Sequence, residues 1–140
     1  MKRTSDNQAT SPLKEAALRA LDNAYAPYSN FRVGAAVRTR RGEIVVGSNI
    51  ENSAYGQAIC AETLAVASAV SQGLKDFEEI AIATDDREPT PPCGACRQVL
   101  SEFAPNIRIS SYTRNGKEAV WSLDELLPHA FVLNHSRGRS

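Results

Sequence analysis

The stretch Ala58–Val70, AICAETLAVASAV, decides how the chain is read. Beyond Cys60 and Glu62 it is an alanine-rich apolar run, longer than an ordinary strand and built from helix formers, so a helix is predicted with a thiol and a carboxyl at its mouth. On one side lies Ile44–Ile50, IVVGSNI, and on the other Glu78–Thr84, EEIAIAT, both short and β-branched as strands are. A helix joining two strands is the unit of an α/β fold.

Outward from this unit the pattern continues. Phe31–Thr39, FRVGAAVRT, alternates with Phe31, Val33, Ala35 and Val37 on one side, and the Gly-containing turn Arg40–Glu43 leads it into IVVGSNI as a hairpin. Before it, Ser11 stands as an N-cap and Pro12 as the first residue of a helix whose apolar face is Leu13, Ala16, Ala17, Ala20 and Leu21, and which ends before Pro27. After EEIAIAT come a helix at Cys96–Phe103, a strand at Ile107–Thr113, and a capping box from Ser122 to Glu125 in a last helix stopped at Pro128. The order α-β-β-α-β-α-β-α predicts a mixed sheet, with an antiparallel hairpin and strands added in parallel through helical crossovers. One domain is expected over residues 11–133, with residues 1–10 read as a disordered N-terminus and 134–140 as a flexible tail.

Composition narrows the function. Sixteen basic residues balance sixteen acidic ones, and no basic run exceeds Arg40–Arg41, which argues against a nucleic-acid or membrane-surface partner. No stretch approaches the ~20 apolar residues of a membrane span, and a cytoplasmic protein is expected. Three cysteines do not make a closed disulfide set, so free or metal-bound thiols are expected.

The chemistry gathers at two helix starts. Cys93 and Cys96 form a C-x-x-C turn, and a thiolate from Cys60 would complete three ligands around one ion with a fourth position open, as in catalytic rather than structural zinc sites. A redox pair, half of a structural zinc site and a lone buried thiol at Cys60 are the competing readings. Glu62 separates them: an isolated first-turn glutamate only complements the helix dipole, but beside an open zinc site it can carry protons. Cys60-Ala61-Glu62 followed by Pro92-Cys93-Gly94-Ala95-Cys96 reproduces the ligand-x-Glu and P-C-x-x-C pattern of zinc deaminases, with cysteine as the first ligand.

With APYSNFRVGAAV, GSNIENSAYG, CAE, PCGACRQVL and ELLP in this order, the chain resembles the small homotetrameric cytidine deaminases from about Leu13 to Phe131. The resemblance implies a three-layer α-β-α fold with a mixed five-stranded sheet, one Zn2+ per chain on Cys60, Cys93 and Cys96, and hydrolysis of cytidine or deoxycytidine to the uracil nucleoside and ammonia, in pyrimidine salvage. It further implies that Glu62 shuttles protons, that Asn49 and Glu51 bind the ribose 3′-hydroxyl, that Phe31 packs on the pyrimidine and that the Ala61 amide meets the base carbonyl. Tyr28, Tyr55 and Phe131 correspond to aromatics that line sites partly across subunits of a tetramer. One position departs from the pattern: the family usually follows CAE with an arginine that hydrogen-bonds the cysteine sulfurs, and here Thr63 stands in its place. Its loss is expected to weaken the metal's pull on water, with Arg97 a candidate to supply the missing charge. Blasticidin S deaminases also lack that arginine, but they lack the Asn49–Asn52 NIEN run as well. Deamination of a modified cytosine nucleoside and an inactive zinc-bearing homologue are the alternatives.

Overall fold

The computed structural model describes residues 11–133. Helix α1 (Pro12–Asp22) begins at Ser11, whose hydroxyl accepts from the Lys14 N–H at 3.3 Å, and buries Leu13, Ala16, Ala17, Ala20 and Leu21, the stripe expected from the sequence. It lies on β1 (Val33–Thr39), so close that a methyl at Gly34 would sit 2.3 Å from the Ala17 carbonyl oxygen. Strand β2 (Ile44–Ser48) returns antiparallel through Gly42, whose φ of +96° is the left-handed geometry a tight turn needs. The expectations for residues 1–10 and 134–140 lie outside the described residues.

Helix α2 (Ala61–Ser71) carries the chain from β2 to β3 (Phe77–Thr84), and α3 (Gly94–Phe103) from β3 to β4 (Arg108–Thr113). Strand β5 (Glu118–Ser122) and the single-turn α4 (Leu123–Leu126) follow. The capping box forms, with the Ser122 N–H donating to Glu125 Oε1 at 2.8 Å.

The sheet order is β2-β1-β3-β4-β5. Strands β2, β3 and β4 run in one direction, as the crossovers require, but β1 is inserted between β2 and β3 and pairs antiparallel with both, leaving β3 and β4 the one directly paired parallel couple. Reading the residues alone yields four strands. The fifth, Glu118–Ser122, forms a hairpin with β4 around Asn115-Gly116, with Gly116 at φ +102°.

Alternation sorts the side chains into two layers. Val33, Ala35, Val37, Ile80, Ile82 and Ile109 pack with Ala65, Val66 and Leu100 of α2 and α3. Ala36, Ala81, Ala83 and Tyr112 face α1 on the other side. This is the expected three-layer α-β-α arrangement. No helix among the described residues is long and apolar enough to cross a membrane.

Candidate active site

Because β2 and β3 end at the same edge where the antiparallel β1 begins, the segments 29–33, 49–51 and 85–93 and the mouths of α2 and α3 converge there. Between them opens a cleft of ≈ 290 Å³ lined by Phe31, Asn49, Glu51, Cys60, Ala61, Glu62 and Cys93, together with Val33, Ala58, Ile59, Thr90 and Pro91, which sequence reasoning did not single out. The nearest signal for Thr90 and Pro91 was their place directly before P-C-x-x-C.

Backbone pairing fixes the floor. Ile50 exchanges both hydrogen bonds with Ile59, at 3.1 and 3.0 Å, while the Glu51 N–H donates to the Tyr25 carbonyl at 2.8 Å. Residues 49–51 are thereby held one step from Cys60. Asn49 follows the end of β2, and its side chain is shared with the neighbouring segment: Oδ1 accepts from the Val33 N–H at 2.8 Å and Nδ2 donates to the Phe31 carbonyl at 2.9 Å. The Glu51 carboxylate organises the turn before β1, with Oε1 accepting from the Tyr28 and Ser29 N–H groups at 2.8 and 3.1 Å and Oε2 from the Ser29 hydroxyl. The Ser29 hydroxyl, opposed by some desolvation and aided by the two amides, holds this carboxyl below the usual range. That turn passes through Asn30 at φ +61°, a conformation asparagine tolerates, and sets Phe31 at the cleft just before β1, 40% exposed.

Cys60 and Cys93 each occupy the N-cap of their helix, and Cys96 lies in the first turn of α3. The three sulfurs all lie within 4.8 Å of one another, with Cys60 and Cys93 3.8 Å apart. Ligand sulfurs ~2.3 Å from a tetrahedral zinc stand about 3.8 Å from each other, whereas a disulfide would need ~2.05 Å. The three thiols are free, and their spacing and softness fit zinc. Burial pushes the Cys60 and Cys96 thiols up; Cys93, against its own desolvation, is held down by the Cys96 N–H and by the other two thiols.

Glu62, in the first turn of α2, is 6% exposed and lines the cleft beside the sulfurs. Desolvation raises its pKa, opposed by its own backbone N–H and by Cys96. The Thr63 hydroxyl lies 3.3 Å from Cys96 Sγ. Arg97 does not meet the sulfurs as the sequence suggested: its Nε donates to the Pro92 carbonyl at 2.8 Å and its Nη1 to the Leu126 carbonyl at 3.0 Å. Tyr28, Tyr55 and Phe131 do not line the cleft; they are 54, 82 and 70% exposed on the protomer surface.

Three convergent thiols at two helix mouths, with a buried carboxyl beside them in the same cleft, define a metal-site protein of the three-layer α/β kind. The comparisons with known proteins specify it further. The family described as "Cytidine and deoxycytidylate deaminase zinc-binding region" matches residues 7–110. The cytidine deaminase of Halalkalibacterium halodurans is 43% identical over 121 residues, covering 86% of this chain and 91% of that one. A crystal structure of cytidine deaminase from Burkholderia pseudomallei superposes with a TM-score of 0.82 at 44% identity, covering 85% of this chain and 96% of that chain. The blasticidin-S deaminase of Bacillus cereus is more distant, 35% identical over 114 residues, 76% of this chain and 81% of its own. The chain belongs to the cytidine and deoxycytidylate deaminase family of zinc-binding enzymes.

Proposed function

We propose that the protein hydrolyses cytidine and deoxycytidine to uridine and deoxyuridine with release of ammonia. The observation that carries this reading is the placement of the buried Glu62 carboxyl in one cleft with three sulfurs at zinc-ligand spacing. Zinc on Cys60, Cys93 and Cys96, one per chain, supplies the Lewis acidity that makes water a nucleophile near neutral pH. Glu62 takes one proton from this water and passes it to N3 of the pyrimidine as C4 is attacked, then takes the second from the hydroxyl now on C4 and passes it to the amino group, which leaves as ammonia as the C4 carbonyl forms.

The remaining assignments follow from unused hydrogen-bonding capacity. Asn49 retains one N–H, and Glu51, with three donors already on its two oxygens, retains one lone-pair site. A ribose hydroxyl accepting from the first and donating to the second satisfies both, which favours an ordinary nucleoside over blasticidin S. Phe31 supplies an apolar surface for the base, and the Ala61 N–H, at the first helical position with no acceptor inside its helix, is free for the base carbonyl. Tyr28, Tyr55 and Phe131 complete neighbouring sites in a homotetramer, a role consistent with their exposure on one protomer. The catalytic domain spans residues 11–133, and the enzyme works in the cytoplasm in pyrimidine salvage.

The test is the loss of cytidine absorbance on adding purified protein, with zinc counted per chain. Glu62→Gln is expected to keep the fold and one zinc but lose at least ~100-fold in turnover. A variant that retains most of its turnover, or a wild-type protein inert toward cytidine with zinc in place, overturns the reading.

A further inference from the structure

The segment that closes one side of the cleft has an unusual backbone. In Pro89-Thr90-Pro91-Pro92 three of four residues lack an N–H, so this wall cannot be fastened by donating to its surroundings in the ordinary way. It can be held through carbonyls, and two are captured. The Pro92 carbonyl accepts from Arg97 Nε at 2.8 Å, inside the helix that the wall leads into. The Thr90 carbonyl accepts from the Ser111 hydroxyl at 2.7 Å.

Ser111 differs from the other attachments of this segment. It sits in the middle of β4 on the side of Ile109, facing the α2 and α3 layer, and is fully buried. Further out, Asp85 pairs with Arg32 and Arg114, and Glu88 with Lys117, but these ion pairs are between side chains at least 38% exposed, where such contacts hold little. The Ser111 bond ties the wall to the rigid sheet at the very residue that, with Pro91, lines the cleft.

We propose that Ser111 is a positioning residue: its hydroxyl holds the Thr90–Pro91 wall against the sheet and so sets how closely substrate is pressed toward the thiols and Glu62. This rests on the function proposed above. Ser110 provides the comparison. It is equally buried and donates to Glu79 Oε2 at 2.6 Å, on the opposite face of the sheet and away from the cleft.

The experiment compares Ser111→Ala with Ser110→Ala for stability, zinc content, kcat/KM on cytidine, and amide exchange of the 85–93 peptide. A bond to a carboxylate is worth at least as much as one to a carbonyl, so Ser110→Ala should be no more stable than Ser111→Ala. Ser111→Ala alone should lose about tenfold in kcat/KM and exchange faster over 85–93, with zinc retained, because loosening a wall by a fraction of an ångström misplaces the substrate. Equal activity losses in the two variants, or Ser111→Ala within twofold of wild type with unchanged exchange, overturn the proposal. If the alanine variant does not fold, Ser111→Thr and Ser111→Val match each other in shape and differ in the hydroxyl, and the threonine form should be the more active and the slower to exchange over 85–93. A wild-type protein inert toward cytidine sinks the proposed function, whereas the exchange comparison still reports on the wall.

Discussion

Gly47→Ala tests whether the geometry of the cleft is set by how closely α2 rides on β2. Gly47 has no positive φ to protect, so space is the issue. A Cβ there would lie 2.4 Å from the Ala61 carbonyl oxygen and 2.6 Å from the Ala65 nitrogen, both backbone atoms of α2, and 3.1 Å from Leu64 Cβ. Ordinary contact begins near 3.4 Å, so the first turn of α2 must withdraw by roughly 1 Å, and Cys60 and Glu62 must move with it. Overpacking of this kind costs about 1–3 kcal/mol, and alanine recovers ~0.4–1 kcal/mol by restricting the unfolded chain, so a net loss of about 1–2 kcal/mol is expected. From a starting stability of at least ~5 kcal/mol, more than ~99% of the chains remain folded. The rate, however, should fall about 100-fold, the usual effect of a 1 Å error in a catalytic group. Gly34→Ala controls for the packing itself, since its Cβ would meet the Ala17 oxygen and Leu21 nitrogen at 2.3 Å on the α1 side, away from the cleft. Thermal melts and cytidine turnover of both variants decide the matter. A Gly47→Ala enzyme within threefold of wild type, or a Gly34→Ala enzyme equally impaired while folded, would refute the reasoning.

Two other predictions follow from side chains around the site. Thr63→Val should surrender zinc to a competing chelator about tenfold more readily than wild type, while Thr63→Ser, which keeps the hydroxyl near Cys96, should not. Asp85 has its carboxyl held below the usual range by its hydrogen bond with Arg114, against some desolvation, and by Arg32. Its contribution is therefore present above the unfolded value near ~3.9 and lost as pH falls through the lower folded value. Asp85→Asn should accordingly be less stable at neutral pH, by under about 1 kcal/mol because the pairs are exposed, with the gap to wild type closing below about pH 4 in denaturant titrations.

The fold was legible where one local signal sufficed. Ser11-Pro12, Gly42 and the Ser122–Glu125 box each specify a turn or cap through their own atoms, and each forms as read. The insertion of β1 between β2 and β3 was hidden because strand order depends on which faces must be covered at once, and no single segment records it. Strand β5 escapes a reading of the residues alone, though the family resemblance implied a fifth strand, because its three apolar side chains, Ala119, Val120 and Trp121, run together without alternation before the helix cap; only Asn115-Gly116 marked the hairpin. In the site, C-x-x-C and C-x-E announce themselves by chemistry. Ser111 does not: a serine in a strand is ordinary until the chain brings a proline-rich segment over it. Asn49 and Glu51 were identified for binding, but the structure shows that they also tie residues 28–33 to the cleft, so substitutions there report on scaffold and ligand together.

The missing arginine after Glu62 poses a charge problem, since three thiolates on a divalent ion leave a net charge of minus one. Arg97 cannot answer it, being spent on two backbone carbonyls. Apart from Glu62, whose carboxylate would only add negative charge, what faces the sulfurs is fixed and uncharged: the N-terminal amides of α2 and α3, with Cys60 and Cys93 at the caps, and the Thr63 hydroxyl on Cys96. Each helix end is worth about 0.3–1 kcal/mol to an anion and up to ~2 when partly buried, and a hydrogen bond to a charged group adds about 1.5–3. Their sum is comparable to the ~4 kcal/mol of a cation at 4 Å in a medium of effective dielectric ~20. The site thus replaces a mobile cation with dipoles held by the same two helix starts that present the ligands. Such dipoles bring no second charge into the cleft and need no space beside Glu62. Metal retention here accordingly depends on α2 and α3 keeping their mutual position, which ties the electrostatics of the site to Gly47 and to the wall held by Ser111 more than to any single charged residue.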